Sequence, residues 1–157
     1  MRLLKVILVA LFAVVAAAGC IPFQDSPEEK VEKALDENAG FSVFLDSEAT
    51  VQQRSGVRAW LEAQPGVTEI SFQDKAAAYE KAKEIWADDE EFVESINEDS
   101  LPESFKLKVK DAATAREIRD GAAGEELEAL PGVQEVVYLC TTVAECQKIH
   151  SSPSPTN

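Results

Sequence analysis

The chain has 157 residues and a formal net charge of −14, which is one domain by size with room for a tail at each end. An acidic surface of this strength is repelled by nucleic-acid backbones and by anionic lipid, so nucleic-acid binding and a broad electrostatic membrane-binding face are excluded. Solubility is the ordinary use of such a charge.

Arg2 and Lys5 precede an unbroken apolar run at 6–18, and Ala16, Ala17, Ala18 and Gly19 close it. A membrane-spanning helix needs about 20 apolar residues, so the run is short for one. A charged start, a short apolar middle and a small-residue end describe a secretory signal peptide over 1–19. Cys20 follows directly. Ala17-Ala18-Gly19-Cys20 resembles the bacterial lipobox, with Ala17 where a leucine is usual. An ordinary signal cut near Ala16 or Ala18, leaving Cys20 free, is the alternative. Lipidation of Cys20 is favoured because the small residues stop at the cysteine. Each buried methylene contributes about 0.8 kcal/mol, so several acyl chains hold a protein durably. The expected location is the cell membrane, lipid-anchored and facing the extracytoplasmic side. Cleavage also removes Arg2 and Lys5, which leaves −16.

Residues 20–40 read as a tether with a short helix. Ser26 is its N-cap, Pro27 its first residue, Glu28 and Glu29 the acids of its first turn, and Gly40 its stop. An internal repeat follows. In the first copy, 41–72, Phe41, Val43 and Leu45 alternate as in a half-buried strand. A helix capped near Asp46-Ser47 carries Val57, Trp60 and Leu61 on one face, with Trp60 read as core. Pro65-Gly66-Val67 ends that helix and opens the next strand.

Residues 73–104 are too long for a hairpin loop. Helical spacing places Ala78, Tyr79, Ala82, Ile85 and Trp86 on one face of a helix over 75–86. Asp88, Asp89, Glu90 and Glu91 start a second helix with Phe92, Val93 and Ile96, and Leu101-Pro102 ends it. This is a helical hairpin inserted between the two copies. Two short helices enclose little interior, so aromatic side chains remain for an interaction surface. Packing of the same rings on each other and on the main domain is the competing account. The expected partner-binding set is Tyr79, Ile85, Trp86, Phe92 and Ile96. Trp86 leads it because an indole combines large area with a donor.

The second copy, 105–139, repeats the alternation at Phe105, Leu107 and Val109. Asp111 is placed as a cap, Gly121 and Gly124 predict a break in the helix, and Pro131-Gly132-Val133 opens the last strand. Two strand–helix–strand units predict an α+β, ferredoxin-like split β-α-β fold with a four-stranded antiparallel sheet. Helices cover one face. Lys106, Lys108 and Lys110 make the other polar, with Phe44 the exception. If Cys20 is lipidated, Cys140 and Cys146 remain as a pair, and an oxidising compartment makes them a disulfide across a 140–146 loop. Closing so short a loop contributes about 2 kcal/mol. Residues 147–157 read as a disordered tail.

One ordered set of features resembles the extracellular domain of the bacterial cell-division protein FtsX over about residues 41–139. It comprises the strand Val43-Phe44-Leu45-Asp46, the first Pro-Gly-Val, the run from Ile70 to Lys75, and a helical insertion with Ile85-Trp86. Leu101-Pro102-Glu103-Ser104-Phe105 and the second Pro-Gly-Val complete it. The resemblance implies a function. Full members have four membrane helices and partner an ATPase. Their external domain relays motion to peptidoglycan hydrolases or to coiled-coil activators of these, through a helical lobe. The departure expected here is a lipid in place of the membrane helices, with partner binding by the lobe retained. The partners implied are a peptidoglycan hydrolase, its coiled-coil activator or a division-complex protein, besides the membrane through the N-terminal lipid.

No cofactor, metal or enzymatic activity is expected. The only histidine, His150, lies in the polar tail, so a serine or cysteine nucleophile lacks a base within the fold. Asp88 to Glu91 lack the alternating ligands and glycine turn of a calcium loop, and nothing singles out two carboxylates for glycoside hydrolysis. A small-ligand-binding or sensing domain is the alternative, since related folds share the Leu-Pro-Gly-Val step. Its metal-binding form would need a cysteine pair where Asp46-Ser47-Glu48 stands.

Overall fold

The structure, a computed structural model, describes residues 26–151, with side chains described through Lys148. The expected signal peptide, the expected lipidation at Cys20 and the last residues of the expected tail lie outside the described residues. The fold proper starts at Val31. Helix α1 (Pro27–Glu37) opens on a reciprocal cap: Ser26 Oγ accepts from the Glu29 amide at 3.2 Å, and the Ser26 amide donates to Glu29 Oε2 at 2.6 Å. The helix ends three residues before Gly40, which opens β1 instead of stopping the helix.

The period-two stretches become strands β1 (Gly40–Leu45), β2 (Val67–Gln73), β3 (Ser104–Val109) and β4 (Val133–Tyr138). They form one sheet in the order β2-β3-β1-β4, with every pairing antiparallel. Register places Phe41 opposite Leu107 and Tyr138, and Val43 opposite Phe105 and Val136. One apolar row therefore crosses three strands on a single face.

The connecting helices cover that face. Helix α2 (Val51–Glu62) buries Val57 and Leu61. Helices α5 (Ala112–Asp120) and α6 (Ala122–Glu128) bury Ala112, Ala115, Ile118 and Leu127, and they break at Gly121 as the glycines predict. Phe41, Val43, Leu45, Phe105, Leu107 and Val109 complete the core. Each large side chain removed from water contributes about 1.5–3 kcal/mol, so this layer holds the domain together. Trp60 is half-buried and packs against the core edge. On the opposite face Lys106 and Lys108 are exposed, while Ser42 and Phe44 are half-buried.

Each Pro-Gly-Val turn depends on its glycine. Gly66 and Gly132 hold φ of 84° and 91°, the left-handed region that side chains with a Cβ avoid. The cap of α2 differs from the expected one. Thr50, not Asp46-Ser47, is the N-cap, in a full capping box with Gln53. Asp46 is used in a turn, its carbonyl accepting from the Ala49 amide at 2.9 Å. Asp111 does cap α5, its Oδ1 accepting from the Thr114 amide at 2.8 Å.

The C-terminal segment differs as well. Residues 147–151, expected to be disordered, continue helix α7 (Val143–Ser151). Cys140 and Cys146 are joined by a disulfide with Cα atoms 5.2 Å apart. Glu145 accepts from the Thr141 amide and hydroxyl, both at 2.8 Å, and from Arg119 at 3.3 Å. Arg116 donates to the Thr141 carbonyl at 3.0 Å. These bonds tie α7 to α5 and supply order that the polar sequence alone does not. Among the described residues, no helix is long and apolar enough to cross a membrane.

Candidate functional site

A helical lobe interrupts the sheet between β2 and β3. It contains α3 (Lys75–Ile85), α4 (Glu90–Ser95) and a 3-10 turn (Glu98–Ser100). The second helix thus stops at Ser95, short of Leu101-Pro102. Gln73 and Ser104 are direct cross-strand partners, so the chain leaves the sheet and returns to it at adjacent points.

Local capping fixes the lobe. Asp74 Oδ1 accepts from the Ala77 amide at 2.8 Å and starts α3. The Trp86 amide donates to the Ala82 carbonyl at 3.0 Å, and the Asp89 amide to the Trp86 carbonyl at 2.9 Å, which folds the chain back. Asp89 Oδ1 then accepts from the Phe92 amide at 3.0 Å and starts α4. Lys75 pairs with Asp99 at 3.8 Å across the base.

Neither lobe helix buries a residue. Ile85 is 64% exposed and Trp86 49% exposed, while Tyr79, Phe92 and Ile96 are half-buried. Helices of 11 and 6 residues cannot enclose their own aromatics. The fold brings Trp86 and Phe92 together, with ring centroids 5.0 Å apart and planes tilted by 44°, within the separation at which aromatic pairs attract. Tyr79 is engaged differently: Lys83 Nζ sits 4.5 Å above its ring. Ile96 is the C-cap of α4.

The lobe is strongly acidic. Residues 74–100 hold ten carboxylates and three lysines. All three lysines are held within the lobe: Lys75 by Asp99, Lys81 by Glu84 at 2.9 Å and Lys83 by Glu80 at 2.6 Å. The hydrogen bond from Glu80 raises the Lys83 pKa above its ordinary value, and that from Lys81 lowers the Glu84 pKa. Asp88, Glu90, Glu91 and Glu94 are exposed and make no ion pair with a described residue.

Phe72, at the root of the lobe, was placed in a strand by the sequence but not in the candidate site. It is 39% exposed, with Arg54 5.3 Å from its ring centroid and the Phe105 ring at 5.1 Å. The readable signal was its place as the last apolar residue of β2 before the Asp74 cap. Arg54 is fixed in turn by both Glu103 carboxylate oxygens, at 2.8 and 2.6 Å. A separate cleft of about 390 Å³ lies between α2 and the turn before β4, lined by Gly56, Val57, Trp60, Leu130 and Pro131 among others. Among the described residues, no group of three His, Cys, Asp or Glu side chains could hold a metal ion.

The molecule is an α+β domain: one antiparallel sheet, helices on one face, and an acidic helical lobe set between its halves. The family described as the FtsX extracellular domain matches residues 38–150, and the chain belongs to that family. Membership assigns it an extracytoplasmic place and a role in the cell-division complex. Among solved structures, it is similar to the crystal structure of extracellular domain 1 of FtsX from S. pneumoniae in complex with undecyl-maltoside. The identity is 17% and the TM-score 0.49, over 64% of this chain and 94% of that one. No curated protein sequence matches the chain.

Proposed function

We propose that the protein is a lipid-anchored, extracytoplasmic binding module that docks a cell-division partner on its helical lobe. The partner class is a peptidoglycan hydrolase, its coiled-coil activator or another division-complex protein. The carrying observation is the Trp86–Phe92 pair, in ring contact yet with Trp86 half exposed and Ile85 largely so. Exposed aromatic area of this kind is what interface hot spots are made of. The role is recognition, not catalysis. The proposed organisation is a signal peptide over 1–19, a tether from Cys20 and a binding domain through 146. The strand order β2-β3-β1-β4 supports reading its two halves as a ferredoxin-like split β-α-β pair.

A photo-crosslinker at position 86 in living cells should capture a division or wall-hydrolase protein. Trp86→Ala should abolish capture from a neighbouring lobe position and leave the circular dichroism spectrum unchanged. Undiminished capture by Trp86→Ala would remove the site. For the anchor, Cys20→Ser should move the protein out of the membrane fraction, and its full retention there would refute lipidation.

The small-ligand reading draws support from the cleft beside Trp60. Filling it with Gly56→Leu separates the two readings, because partner capture through the lobe should not change.

A further inference from the structure

We infer that two copies of the chain join edge to edge through β4, in a two-fold antiparallel pairing centred on Val137. The inference is independent of partner docking on the lobe. In the order β2-β3-β1-β4 the lobe connects β2 to β3, and β4 is the edge at the other side of the sheet.

The alternation of an antiparallel ladder decides which groups of β4 are unused. The Leu139 amide donates to the Gly40 carbonyl at 3.2 Å. Register pairs Ser42 with Val137 and Phe44 with Glu135, so Leu139, Val137 and Glu135 turn their amides and carbonyls toward β1. Val136 and Tyr138 therefore turn theirs away from the sheet, and among the described residues no strand lies beyond β4. Among those residues neither amide donates to a turn, a cap or a side chain. Gln134 is set apart by a register shift, since Phe44 faces Glu135 but Leu45 faces Val133. The regular edge is thus Glu135 to Leu139. It holds no lysine and no proline, the residues that commonly protect an edge from pairing.

A second copy fits this edge because the edge is complementary to itself. With Val137 opposite Val137 of the other copy, Val136 faces Tyr138 and Tyr138 faces Val136. Both of these are hydrogen-bonded pairs, so the outward amides of each copy meet the outward carbonyls of the other. A β-branched residue against an aromatic one is also a favourable cross-strand pair. On the uncovered face, the exposed Val137 and Leu139 of both copies form one apolar patch. Glu135 falls opposite Leu139 and not opposite another carboxylate. The β2 edge lacks this complementarity. Its residues on the same face are Glu69 and Ser71, Glu69 is engaged by Lys108 at 3.1 Å, and α3 begins two residues after the strand ends.

The test is disulfide crosslinking of the full chain in living cells, with copper phenanthroline as oxidant and non-reducing electrophoresis as readout. Directly opposed residues of a non-hydrogen-bonded pair lie about 4.5 Å apart at Cα, within disulfide range. Val137→Cys should therefore give a covalent dimer. Glu135→Cys should give none above the parent chain, because its two copies stand four residues out of register, roughly 13 Å apart. Ser71→Cys, on the β2 edge, should also give none. A second readout is sedimentation of the purified full chain at about 0.15 M salt, where long-range repulsion between two acidic copies is largely screened. The parent should form a dimer that grows with concentration. Val137→Lys sets two like charges face to face at an exposed position. It should sediment as a monomer with an unchanged circular dichroism spectrum.

Equal dimer bands from Val137→Cys, Glu135→Cys and Ser71→Cys would reduce the contact to collision and overturn the inference. A Val137→Cys adduct of another mass, with no dimer band, would give the edge to a strand of a different protein and overturn the second copy as its occupant. A parent chain that stays monomeric at every concentration, together with no Val137→Cys dimer, would refute the pairing outright.

Discussion

Glu145 shows how one side chain can order a segment that looks unstructured. Its carboxylate accepts from the Thr141 amide first, then the Thr141 hydroxyl, and pairs with Arg119, and these hold its pKa down at about 2. An unfolded glutamate titrates near 4.3 (approximately). The stabilisation is therefore complete above that value and is lost as pH falls toward 2. Its side chain is 36% exposed, so solvent screening limits the contribution to under about 1 kcal/mol. Glu145→Gln should be less stable than the parent at neutral pH, and the difference should close between about pH 4.5 and pH 2. Urea midpoints of both proteins across that range check this. A difference that stays constant with pH would show that the carboxylate charge is not what holds the Thr141 loop.

At the scale of elements, two helical glycines make opposite demands. A Cβ built on Gly56, in α2, meets nothing within 4 Å, whereas one on Gly124, in α6, falls 2.6 Å from the Arg119 carbonyl and 2.7 Å from that of Ile118. Backbone oxygens cannot rotate away as a side chain can. Gly56→Ala should stabilise the protein by about 0.5–1 kcal/mol through helix propensity. Gly124→Ala should destabilise it by about 1–3 kcal/mol through overpacking. Melting temperatures of the two variants should move in opposite directions, and a shared sign would contradict the assigned packing of α6 on α5.

The same elements mark what the sequence could and could not reveal. Alternation at Phe41, Val43, Leu45 and again at Phe105, Leu107, Val109 was legible because a strand buries every second residue. The Pro-Gly-Val turns were legible because only glycine suits their φ. The cap at Thr50 was readable in principle, since Thr50-Val51-Gln52-Gln53 has the spacing of a capping box, but Asp46-Ser47 stands closer to the strand and drew the assignment. Helix α7 was not legible. Its order comes from Arg116, Arg119 and the disulfide, contacts made by residues distant in sequence or by a covalent bond. In the lobe, Trp86 and Phe92 could be grouped by spacing. Their ring contact depends on the turn that the Trp86 carbonyl and Asp89 amide close, and periodicity does not report that.

For the whole molecule, the question is whether the sheet and the lobe depend on each other. Every residue of the buried core lies outside 74–103, so the main hydrophobic term should survive loss of the lobe. Gln73 and Ser104 already face each other as the last pair of the β2–β3 ladder. A two-residue type I′ turn fits that geometry, because its twist matches that of antiparallel strands. Replacing 74–103 by Asn-Gly should therefore give a folded, cooperatively melting domain. Two contacts would go with the lobe: the bond from the Leu45 amide to the Glu103 carbonyl at 2.9 Å and the two-pronged Arg54–Glu103 pair. Each is worth about 1 kcal/mol net, so the melting temperature should fall by several degrees and no further. Near-ultraviolet circular dichroism and a sharp thermal transition would confirm an intact core. Loss of both would mean that the lobe, by holding β2 against β3, is part of what folds the sheet. If the core does stand alone, α3 and α4 carry no duty toward the sheet, and the contact between Trp86 and Phe92 serves the lobe alone.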